Sequence, residues 1–311
     1  MKPHPAKDNH EQAKRSYSAK LMLFGEYTVI CGSMALMMPL NRFSAHWSMA
    51  SIGEDHPSVP YLKSFFSYLT GKPSLNTLLD HKQMETDLSR GLIFESDIPI
   101  GYGAGSSGAL VAAVYQRYSW SYENNPVALK SVLADMESYF HGQSSGLDPL
   151  CIYLNKPFLV QEDGNIQTDL NWPCAGQGDL SLFLADTGTT GMTGPLVAHF
   201  RNQLKNQSFY KTLSREVIPA TRKAIYYFLE GDTPNLFEQL KIISAFQLTS
   251  LQPMIPEKFR EFWKSGLESG LFVPKLCGSG GGGFILGFTK NRTELDHLMS
   301  SSYTGTTYFY L

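Results

Sequence analysis

A glycine-rich stretch in the first half of the chain, Pro99-Ile-Gly-Tyr-Gly-Ala-Gly-Ser-Ser-Gly-Ala109, has the composition of a phosphate-binding loop. Glycine lacks a Cβ, so the backbone amides of such a loop can approach a ligand closely. The two serines open a helix pattern that continues to Trp120, and the free N–H groups at a helix N-terminus favour an anion. We therefore predict a cradle for a triphosphate, with the hydroxyl of Ser106 or Ser107 available to a metal ion.

Three other interpretations of this stretch can be considered. The Walker A pattern, Gly-x-x-x-x-Gly-Lys-Ser/Thr, is excluded because no lysine follows the last glycine. The letters Gly103-x-Gly105-x-x-Gly108 match the dinucleotide fingerprint, which also needs a strand after the helix and an acidic residue about 20 residues further on. The sequence predicts a second helix there instead. A glycine-rich turn that only caps a core helix is the third alternative.

A carboxylate-bearing segment follows the loop. A helix is predicted to begin at Asn125-Pro126 and to end at Gly142, because asparagine followed by proline begins helices and glycine ends them. Glu137 and His141 lie four residues apart on this helix and share a face. The small-residue turn after it delivers the carboxylate of Asp148 to the start of a new apolar segment. These side chains are candidates for metal binding and proton transfer.

Less specific interpretations of these residues also exist. A glutamate and a histidine at this spacing could bind zinc, although no third ligand is evident, or they could be an exposed pair on a helix surface. An aspartate before proline, as in Asp148-Pro149, is often only a turn former. The neighbouring Gly-Gln-Ser-Ser-Gly run favours a functional role, because it permits close approach of the backbone to a ligand.

Three further stretches could contribute chemistry. Lys20 lies inside a predicted strand, Tyr17–Phe24, where its ammonium group could instead extend to water. The four glycines Gly280–Gly283 directly precede a buried-looking strand, Phe284–Phe288, so we favour close backbone approach to a ligand or loop over a flexible linker. The hydroxyl-rich loop 187–194 could hold a small polar substrate or merely cap the helix after it.

Length and composition limit the class of protein. The chain has 311 residues, 42% of them hydrophobic, and a net charge of −2, which suffices for two domains or one large one. The absence of a basic cluster argues against a nucleic-acid partner. No apolar run is long enough to span a membrane, and Met1–Lys14 does not resemble a signal peptide. The four scattered cysteines predict reduced thiols in a cytoplasmic protein without a zinc site.

Periodicity and turn residues predict the remaining elements. Residues 1–15 are expected to fray. Further strands are predicted at 28–31, 42–52, 92–96, 158–161 (after a hairpin-like turn at Lys156-Pro157), 179–186 and 306–311. Helices are predicted at 61–69, 75–88, 107–120, 195–206, 216–230, 233–250, 256–269 and 293–301.

Three stretches in this order resemble the motifs of the GHMP kinases, which include galactokinase and the homoserine, mevalonate and phosphomevalonate kinases. Ser18-Ala-Lys-Leu-Met-Leu-Phe-Gly-Glu-Tyr27 is similar to their first motif. Pro99–Ala109 resembles their Pro-x-Gly-x-Gly-Leu-Gly-Ser-Ser-Ala-Ala loop, and Lys275-Leu-Cys-Gly-Ser-Gly-Gly-Gly-Gly283 resembles Lys-Leu-Thr-Gly-Ala-Gly-Gly-Gly-Gly. Within the superfamily, Glu137–Asp148 looks most like Glu-x-x-x-His-Gly-x-Pro-Ser-Gly-x-Asp of mevalonate kinases. The segment Thr193–Val197 resembles their substrate-side Thr-x-x-Leu-Val.

The resemblance implies roles for named residues. Asp148 would be the catalytic aspartate, with Lys20 beside the reacting oxygen, and Ser107 and Glu137 would hold Mg²⁺. Residues implied to contact the substrate are Glu26, Tyr27, Ser145, Gly146 and Thr193. Residues implied to contact ATP are Gly101, Gly103, Ala104, Gly105, Ser106, Ser107, Gly108, Gly280 and Gly281.

The chain also departs from the family pattern. Ser18-Ala19 replaces Pro-Gly, Ala104 replaces leucine, Gly108 replaces alanine and Ser144 replaces proline. Tyr27 stands where mevalonate kinases usually have histidine, and Gly-Glu-Tyr is more usual in phosphomevalonate kinases. This last departure concerns the identity of the phosphate acceptor.

The resemblance implies an α+β fold with two lobes and a cleft for ATP and acceptor. The N-terminal lobe, residues 1–178, would resemble ribosomal protein S5 domain 2, and the C-terminal lobe, residues 179–311, would be ferredoxin-like. The implied activity is ATP- and Mg²⁺-dependent phosphorylation of a small alcohol by a monomer or homodimer, with mevalonate as the leading acceptor in isoprenoid precursor synthesis. The alternatives are a phosphomevalonate kinase, a GHMP kinase for a sugar or amino alcohol, and a non-catalytic ligand sensor.

Overall fold

The computed structural model describes residues 15–50, 56–173 and 180–311, and these form two compact units. Unit 1 comprises residues up to Lys20 together with 39–99 and 105–156, and unit 2 comprises 21–38, 100–104 and 157–311. Both units are discontinuous in sequence. The predicted lobe boundary near residue 178 lies in 174–179, outside the described residues, and stays a prediction.

The first two strands, β1 (Ser16–Phe24) and β2 (Ala35–Met49), are long and neighbour each other in the first sheet. Within unit 1, the end of β2 pairs antiparallel with β3 (Leu92–Ser96), with Trp47 opposite Phe94. Within unit 2, the start of β2 pairs antiparallel with β4 (Phe158–Val160), which in turn pairs with β5 (Ile166–Gln167). Lys20 is the central residue of β1.

The helices of unit 1 include the two that follow the phosphate-loop motif. A glycine with φ +87°, Gly105, begins the first of these, and Asn125 caps the second through its side chain as predicted. The helices are α1 (Ser58–Thr70), α2 (Pro73–Asn76), α3 (His81–Ser89), α4 (Ser106–Tyr118), α5 (Pro126–His141) and α6 (Leu147–Leu154).

Unit 2 contains the second sheet, whose strands are β6 (Ser181–Asp186), β7 (Phe272–Leu276), β8 (Phe284–Thr289) and β9 (Tyr308–Tyr310). The sheet is antiparallel and has the strand order β7-β8-β6-β9. The helices of unit 2 are α7 (Thr193–Gln203), α8 (Gln207–Thr212), α9 (Ile218–Glu230), α10 (Thr233–Ser250), α11 (Arg260–Ser269) and α12 (Arg292–Ser302). The mixture of helices with antiparallel sheets confirms the predicted α+β class. No helix in the described part of the chain combines the length and apolar character needed to cross a bilayer.

Two predicted secondary-structure elements are wrong. Thr28–Cys31 is a 3₁₀ turn and not a strand, since the chain reverses between Tyr27 (φ +64°) and Gly32 (φ +78°). The predicted helix 75–88 is two helices, α2 and α3. The link between them pairs with the end of α4, where the Asp80 amide donates to the Tyr118 carbonyl at 2.8 Å.

Smaller differences concern where elements begin and end. The turn at Lys156-Pro157 is no hairpin, because it follows α6 and its left-handed cap Asn155. The helix predicted at 195–206 begins at Thr193 and ends at Gln203, after which Asn206 caps α8. A 3₁₀ turn, Glu257–Phe259, precedes α11 where a continuous helix from 256 is predicted. The predicted strand start at 179 and the predicted fraying of 1–14 fall outside the described residues.

Gly287, in the middle of β8, provides a test of the second sheet. It lies opposite Phe183 of β6, and a Cβ at position 287 would stand 2.1 Å from the Phe183 ring, which is fully buried. We expect Gly287→Ala to lower the free energy of unfolding by about 1–3 kcal/mol, because the ring has nowhere to move. Urea denaturation measures this. The control Gly305→Ala, which adds a methyl group in open space, is expected to have little effect, and equal loss in both variants would contradict the packing.

Candidate active site

Lys20 and Asp148, 128 positions apart in the numbering, meet in unit 1. The Lys20 ammonium lies 2.8 Å from Oδ2 of Asp148, and the two side chains are 3% and 33% exposed. Lys20 projects from β1, and Asp148 lies in the first turn of α6. The alternative in which the Lys20 ammonium extends to water is therefore wrong. The aspartate keeps part of its carboxylate open to solvent beside a buried cation.

Three glycines allow the backbone around this ion pair to pack closely. A Cβ on Gly105 would stand 2.8 Å from Cγ of Lys20, and a Cβ on Gly108 would stand 2.9 Å from the amide nitrogen of Pro149. Gly146, which precedes α6 with φ +72°, packs in the same way against the Lys130 carbonyl of α5. A larger residue at any of the three would displace the start of α4 or of α6, and with it the ion pair.

A second polar cluster in unit 1 surrounds the buried carboxylate of Glu137. Ser107 donates to Oε1 of Glu137 at 3.1 Å, and its oxygen also lies 3.1 Å from Nε2 of His141. The Ser144 hydroxyl donates to Oε2 of the same carboxylate and accepts the Gly146 amide at 3.0 Å. Glu137 and His141 are thus joined by a serine hydroxyl and are not an isolated surface pair. No group of three or more His, Cys, Asp or Glu suited to a metal occurs among the described residues.

Burial dominates the electrostatics of this cluster. It raises the pKa of Glu137 from its usual value near 4.5 to about 7, and the negative charge of Asp148 adds to the rise, while hydrogen bonds from Ser144 and Ser107 oppose it. Burial also lowers the pKa of His141. A carboxylate and a hydroxyl are the hard oxygen donors that Mg²⁺ prefers. The pair Glu137 and Ser107 therefore fits a magnesium ion, whose charge would offset the cost of ionising the buried carboxylate.

The raised pKa of Glu137 predicts a pH-dependent stability. Between about pH 4.5 and 7 the folded protein retains a proton that the unfolded chain has lost, so the free energy of unfolding falls as the pH rises. The slope from this group is at most about 1.4 kcal/mol per pH unit. Urea denaturation in EDTA across this range, for the wild type and for Glu137→Gln, measures the contribution.

The Glu137→Gln variant is expected to lose this component, whereas Glu162→Gln, which alters an exposed carboxylate, should keep it. Parallel pH profiles for the wild type and Glu137→Gln would contradict the assignment.

Unit 2 holds a buried ion pair that joins the first and third motifs. The Lys275 ammonium lies 2.5 Å from Oε1 of Glu26, and both side chains are almost fully buried. Lys275 also donates to the Leu276 carbonyl at 2.8 Å. The structure thus places the Glu26 carboxylate against a lysine of the protein itself. Its predicted contact with substrate stays a prediction.

Tyr27 is also directed into unit 2. Its hydroxyl donates to the Ser279 carbonyl at 2.6 Å, and its ring packs on Phe200 with centroids 4.8 Å apart. The Ser279 hydroxyl lies 3.1 Å from that of Thr193, at the start of α7. The loop around Thr193 and the third motif therefore meet within this unit.

The two glycine tracts also meet in unit 2, through the part of the phosphate-loop motif that lies there. A Cβ on Gly103 would stand 2.9 Å from the Cys277 carbonyl oxygen, and one on Gly280 would stand 2.4 Å from that of Met254. The Gly101 carbonyl accepts the Gly191 amide at 2.9 Å. Such contacts exclude a flexible linker at 280–283. Ala104, in the phosphate-loop motif, is buried. The glycines at 280–283 pack against other residues of unit 2.

The predicted site residues thus fall into two groups. Those in unit 1 are Lys20, Gly105, Ser106, Ser107, Gly108, Glu137, Ser145, Gly146 and Asp148, and those in unit 2 are Glu26, Tyr27, Gly101, Gly103, Ala104, Thr193, Gly280 and Gly281. Sequence reasoning assigned no role to Lys275, Ser144 or Ser279, although each stands in a quoted motif. Gln247, whose side chain accepts the Leu276 amide at 2.9 Å, carries no sequence signal.

Known proteins support this assembly of motifs. The model of the GHMP kinases N terminal domain matches residues 74–156. The mevalonate kinase of Archaeoglobus fulgidus is 23% identical over 295 residues, covering 88% of this chain and 92% of that protein. The mevalonate kinase of Pyrococcus horikoshii is 24% identical over 310 residues, covering 89% and 88%.

The chain is thus similar to the GHMP kinases, and among them to mevalonate kinases, along most of its length.

Solved GHMP kinases share the fold. The L. major mevalonate kinase in complex with R-mevalonate matches with a TM-score of 0.65 and 15% identity, covering 99% of this chain and 98% of that one. A Streptococcus pneumoniae phosphomevalonate kinase in complex with phosphomevalonate and AMPPNP matches with a TM-score of 0.66 and 16% identity, covering 96% and 99%. These likenesses confirm the two-lobed GHMP kinase fold and leave the acceptor open.

Three of the departures from the GHMP motifs have physical explanations. Gly108 replaces alanine because the backbone of 148–149 leaves no room for a methyl group. Ser144 replaces proline and uses its hydroxyl to bind Glu137. Tyr27 replaces histidine and uses its hydroxyl to hold the third motif at Ser279.

The buried Glu26–Lys275 pair yields a prediction about stability. Lys275→Met is expected to lower the free energy of unfolding by about 3–5 kcal/mol, because it leaves a buried carboxylate without its cation. The double variant Glu26→Gln/Lys275→Met should recover much of that loss, since no charge then remains in the interior. Urea denaturation of both variants tests the pair. A double variant no more stable than the single one would show that packing and not charge dominates.

Proposed function

We propose that this GHMP kinase transfers the γ-phosphoryl group of ATP to the hydroxyl of a small alcohol, with mevalonate as the acceptor. The observation that carries the proposal is the 2.8 Å ion pair between Lys20 and Asp148. A partly exposed carboxylate beside a buried ammonium group is suited to receive a hydroxyl proton and to neutralise charge as it develops. A protein that only sensed a ligand would have no need of this pair.

Phosphoryl transfer requires mainly positioning and charge neutralisation. In the proposed reaction, the acceptor oxygen forms a bond to the γ-phosphorus while the bond to the leaving ADP oxygen breaks. Asp148 accepts the hydroxyl proton, and Lys20 stabilises the negative charge near the reacting oxygen. The free N–H groups at the start of α4, near Ser106, favour phosphate oxygens. The GHMP kinase motifs assign Gly101, Gly103 and the glycines at 280–281 to the nucleotide as well.

Glu137 and Ser107 are the residues that would hold Mg²⁺. When bound, the ion supplies charge neutralisation at the phosphate oxygens. Ser144 keeps the second oxygen of the Glu137 carboxylate in place. These residues hold the oxygen donors in position before any ligand arrives, which lowers the reorganisation that binding requires.

Two observations bear on the acceptor. Several archaeal mevalonate kinases match most of the chain, which favours mevalonate. Gly25-Glu26-Tyr27 is the form more usual in phosphomevalonate kinases, which makes phosphomevalonate the second candidate. The Tyr27 hydroxyl is engaged with the Ser279 carbonyl, so the tyrosine is explained by a contact within the protein and does not by itself indicate a phosphorylated acceptor.

A screen of acceptors tests the proposal. ADP release would be measured with ATP, Mg²⁺ and one of mevalonate, phosphomevalonate, galactose or homoserine. We expect release above the acceptor-free rate with mevalonate. ADP release with phosphomevalonate alone would show that the protein is a kinase whose acceptor is phosphomevalonate and not mevalonate. Binding of nucleotide without release for any acceptor would favour the sensor alternative.

Substitution of the ion pair tests the mechanism. Asp148→Asn and Lys20→Met are each expected to lower kcat by about 10² or more, because proton transfer and charge stabilisation contribute at least that much. The matched controls Asp135→Asn and Lys72→Met break another ion pair of unit 1, with a 3.0 Å separation, and should leave kcat within about twofold, as surface pairs contribute little. A near-normal kcat in a folded Asp148 or Lys20 variant would remove that residue from the mechanism.

A further inference from the structure

We propose that Gln247, a residue of α10 outside every GHMP motif, is a positioning residue for the glycine tract of the third motif, Gly280–Gly283, and thereby for nucleotide binding. The inference rests on the proposed function, because it takes the glycines of that tract to contact ATP. Gln247 is 3% exposed, so its side chain amide lies inside unit 2. Its carbonyl oxygen, Oε1, accepts the backbone N–H of Leu276 at 2.9 Å.

Leu276 is the last residue of β7, and β7 is an edge strand of the second sheet. On an edge strand, alternate backbone groups face away from the neighbouring strand and need other partners. The Leu276 N–H is bound by Gln247, and the Leu276 carbonyl accepts the Lys275 ammonium at 2.8 Å. Two buried side chains thus hold both polar groups of this residue, at the point where the strand gives way to the tract.

The position of Leu276 determines where the glycines begin. Cys277 follows it directly, and its carbonyl lies against Gly103 so closely that no Cβ would fit there. Further along the tract, the Gly281 amide donates to the Met254 carbonyl at 2.6 Å. Met254 lies in the 3₁₀ turn Gln252–Met254 that follows α10. The end of α10 and the turn after it therefore hold the tract at two places, Leu276 and Gly281.

A hydrogen-bond acceptor is required at position 247 for this arrangement. If Gln247 were apolar, the buried Leu276 N–H would be left without that partner, at a substantial energetic cost. The backbone would relieve this cost by moving Leu276 toward another acceptor, and the tract would move with it. Because backbone amides act on phosphate only at hydrogen-bond distance, such a shift weakens nucleotide binding without altering a ligand-contacting residue.

The test compares two near-isosteric variants. Gln247→Met removes the acceptor with little change of volume, whereas Gln247→Glu keeps an acceptor oxygen in either protonation state. The dissociation constant of a non-hydrolysable ATP analogue would be measured with Mg²⁺ by titration calorimetry. We expect at least about a fivefold rise for Gln247→Met, the lower end of what an unsatisfied buried N–H costs, and less than about twofold for Gln247→Glu.

Ser244→Ala separates positioning from general destabilisation. Ser244 lies on the same helix, is fully buried, and accepts the Trp263 indole N–H at 2.8 Å. Its removal should lower the free energy of unfolding in urea and leave the analogue's dissociation constant unchanged. If Ser244→Ala weakens binding as much as Gln247→Met, loss of stability explains both effects and the inference is overturned.

Hydrogen exchange of the wild type provides a measurement that does not depend on a variant folding. Binding of the analogue is expected to slow amide exchange at residues 276–283. Unchanged exchange there, or unchanged affinity in Gln247→Met, would overturn the inference while leaving the kinase proposal intact. If the wild type binds no nucleotide, both the proposed function and this inference are overturned.

Discussion

The buried ammonium of Lys20 is the constraint on which the candidate active site depends. A lysine at the centre of a strand with almost no exposure must have an anionic partner close by, since desolvating an unpaired charge is very costly. Asp148 supplies that partner at 2.8 Å. The requirement places the start of α6 beside β1 and brings α4 against both through Gly105 and Gly108. The Asp148 carboxylate remains partly exposed and is held in one orientation, which its proposed role as proton acceptor requires.

The same principle operates in unit 2, with a different outcome. Glu26 and Lys275 are also paired, but both are withdrawn from solvent, and the pair joins the first and third motifs. Ion pairs of this depth add little net stability compared with apolar residues. Their effect is on specificity of structure, because a displaced partner would leave a buried charge. The chain thus contains one ion pair with a partly exposed carboxylate, Lys20–Asp148, and one that is closed to solvent, Glu26–Lys275.

Local signals in the sequence were sufficient for elements whose ends are determined by neighbouring residues. Asn125, Pro126 and Gly142 predicted both ends of α5, because capping is a contact between residues close in the chain. The strand predicted at Thr28–Cys31 was wrong because the chain reverses there between Tyr27 and Gly32, and Gly25 packs closely against Ala35. Lys20 and Asp148 were associated through motif resemblance, since spacing alone says nothing of residues so far apart. Gln247 was missed because the amide it binds, in β7, is 29 positions away.

The backbone conformation of the third motif limits which substitutions natural variants and mutational libraries can carry at residues 278–283. Gly278, Gly280, Gly281 and Gly283 have φ angles of 66°, 69°, 76° and 69°, in the left-handed region that side chains disfavour. Ser279 has no positive φ and is half-buried, so within 278–283 it is the position most open to substitution. Diversity in this tract should therefore concentrate at 279. That position offers a route by which a lineage could add or remove a hydroxyl beside Thr193 without remodelling the loop.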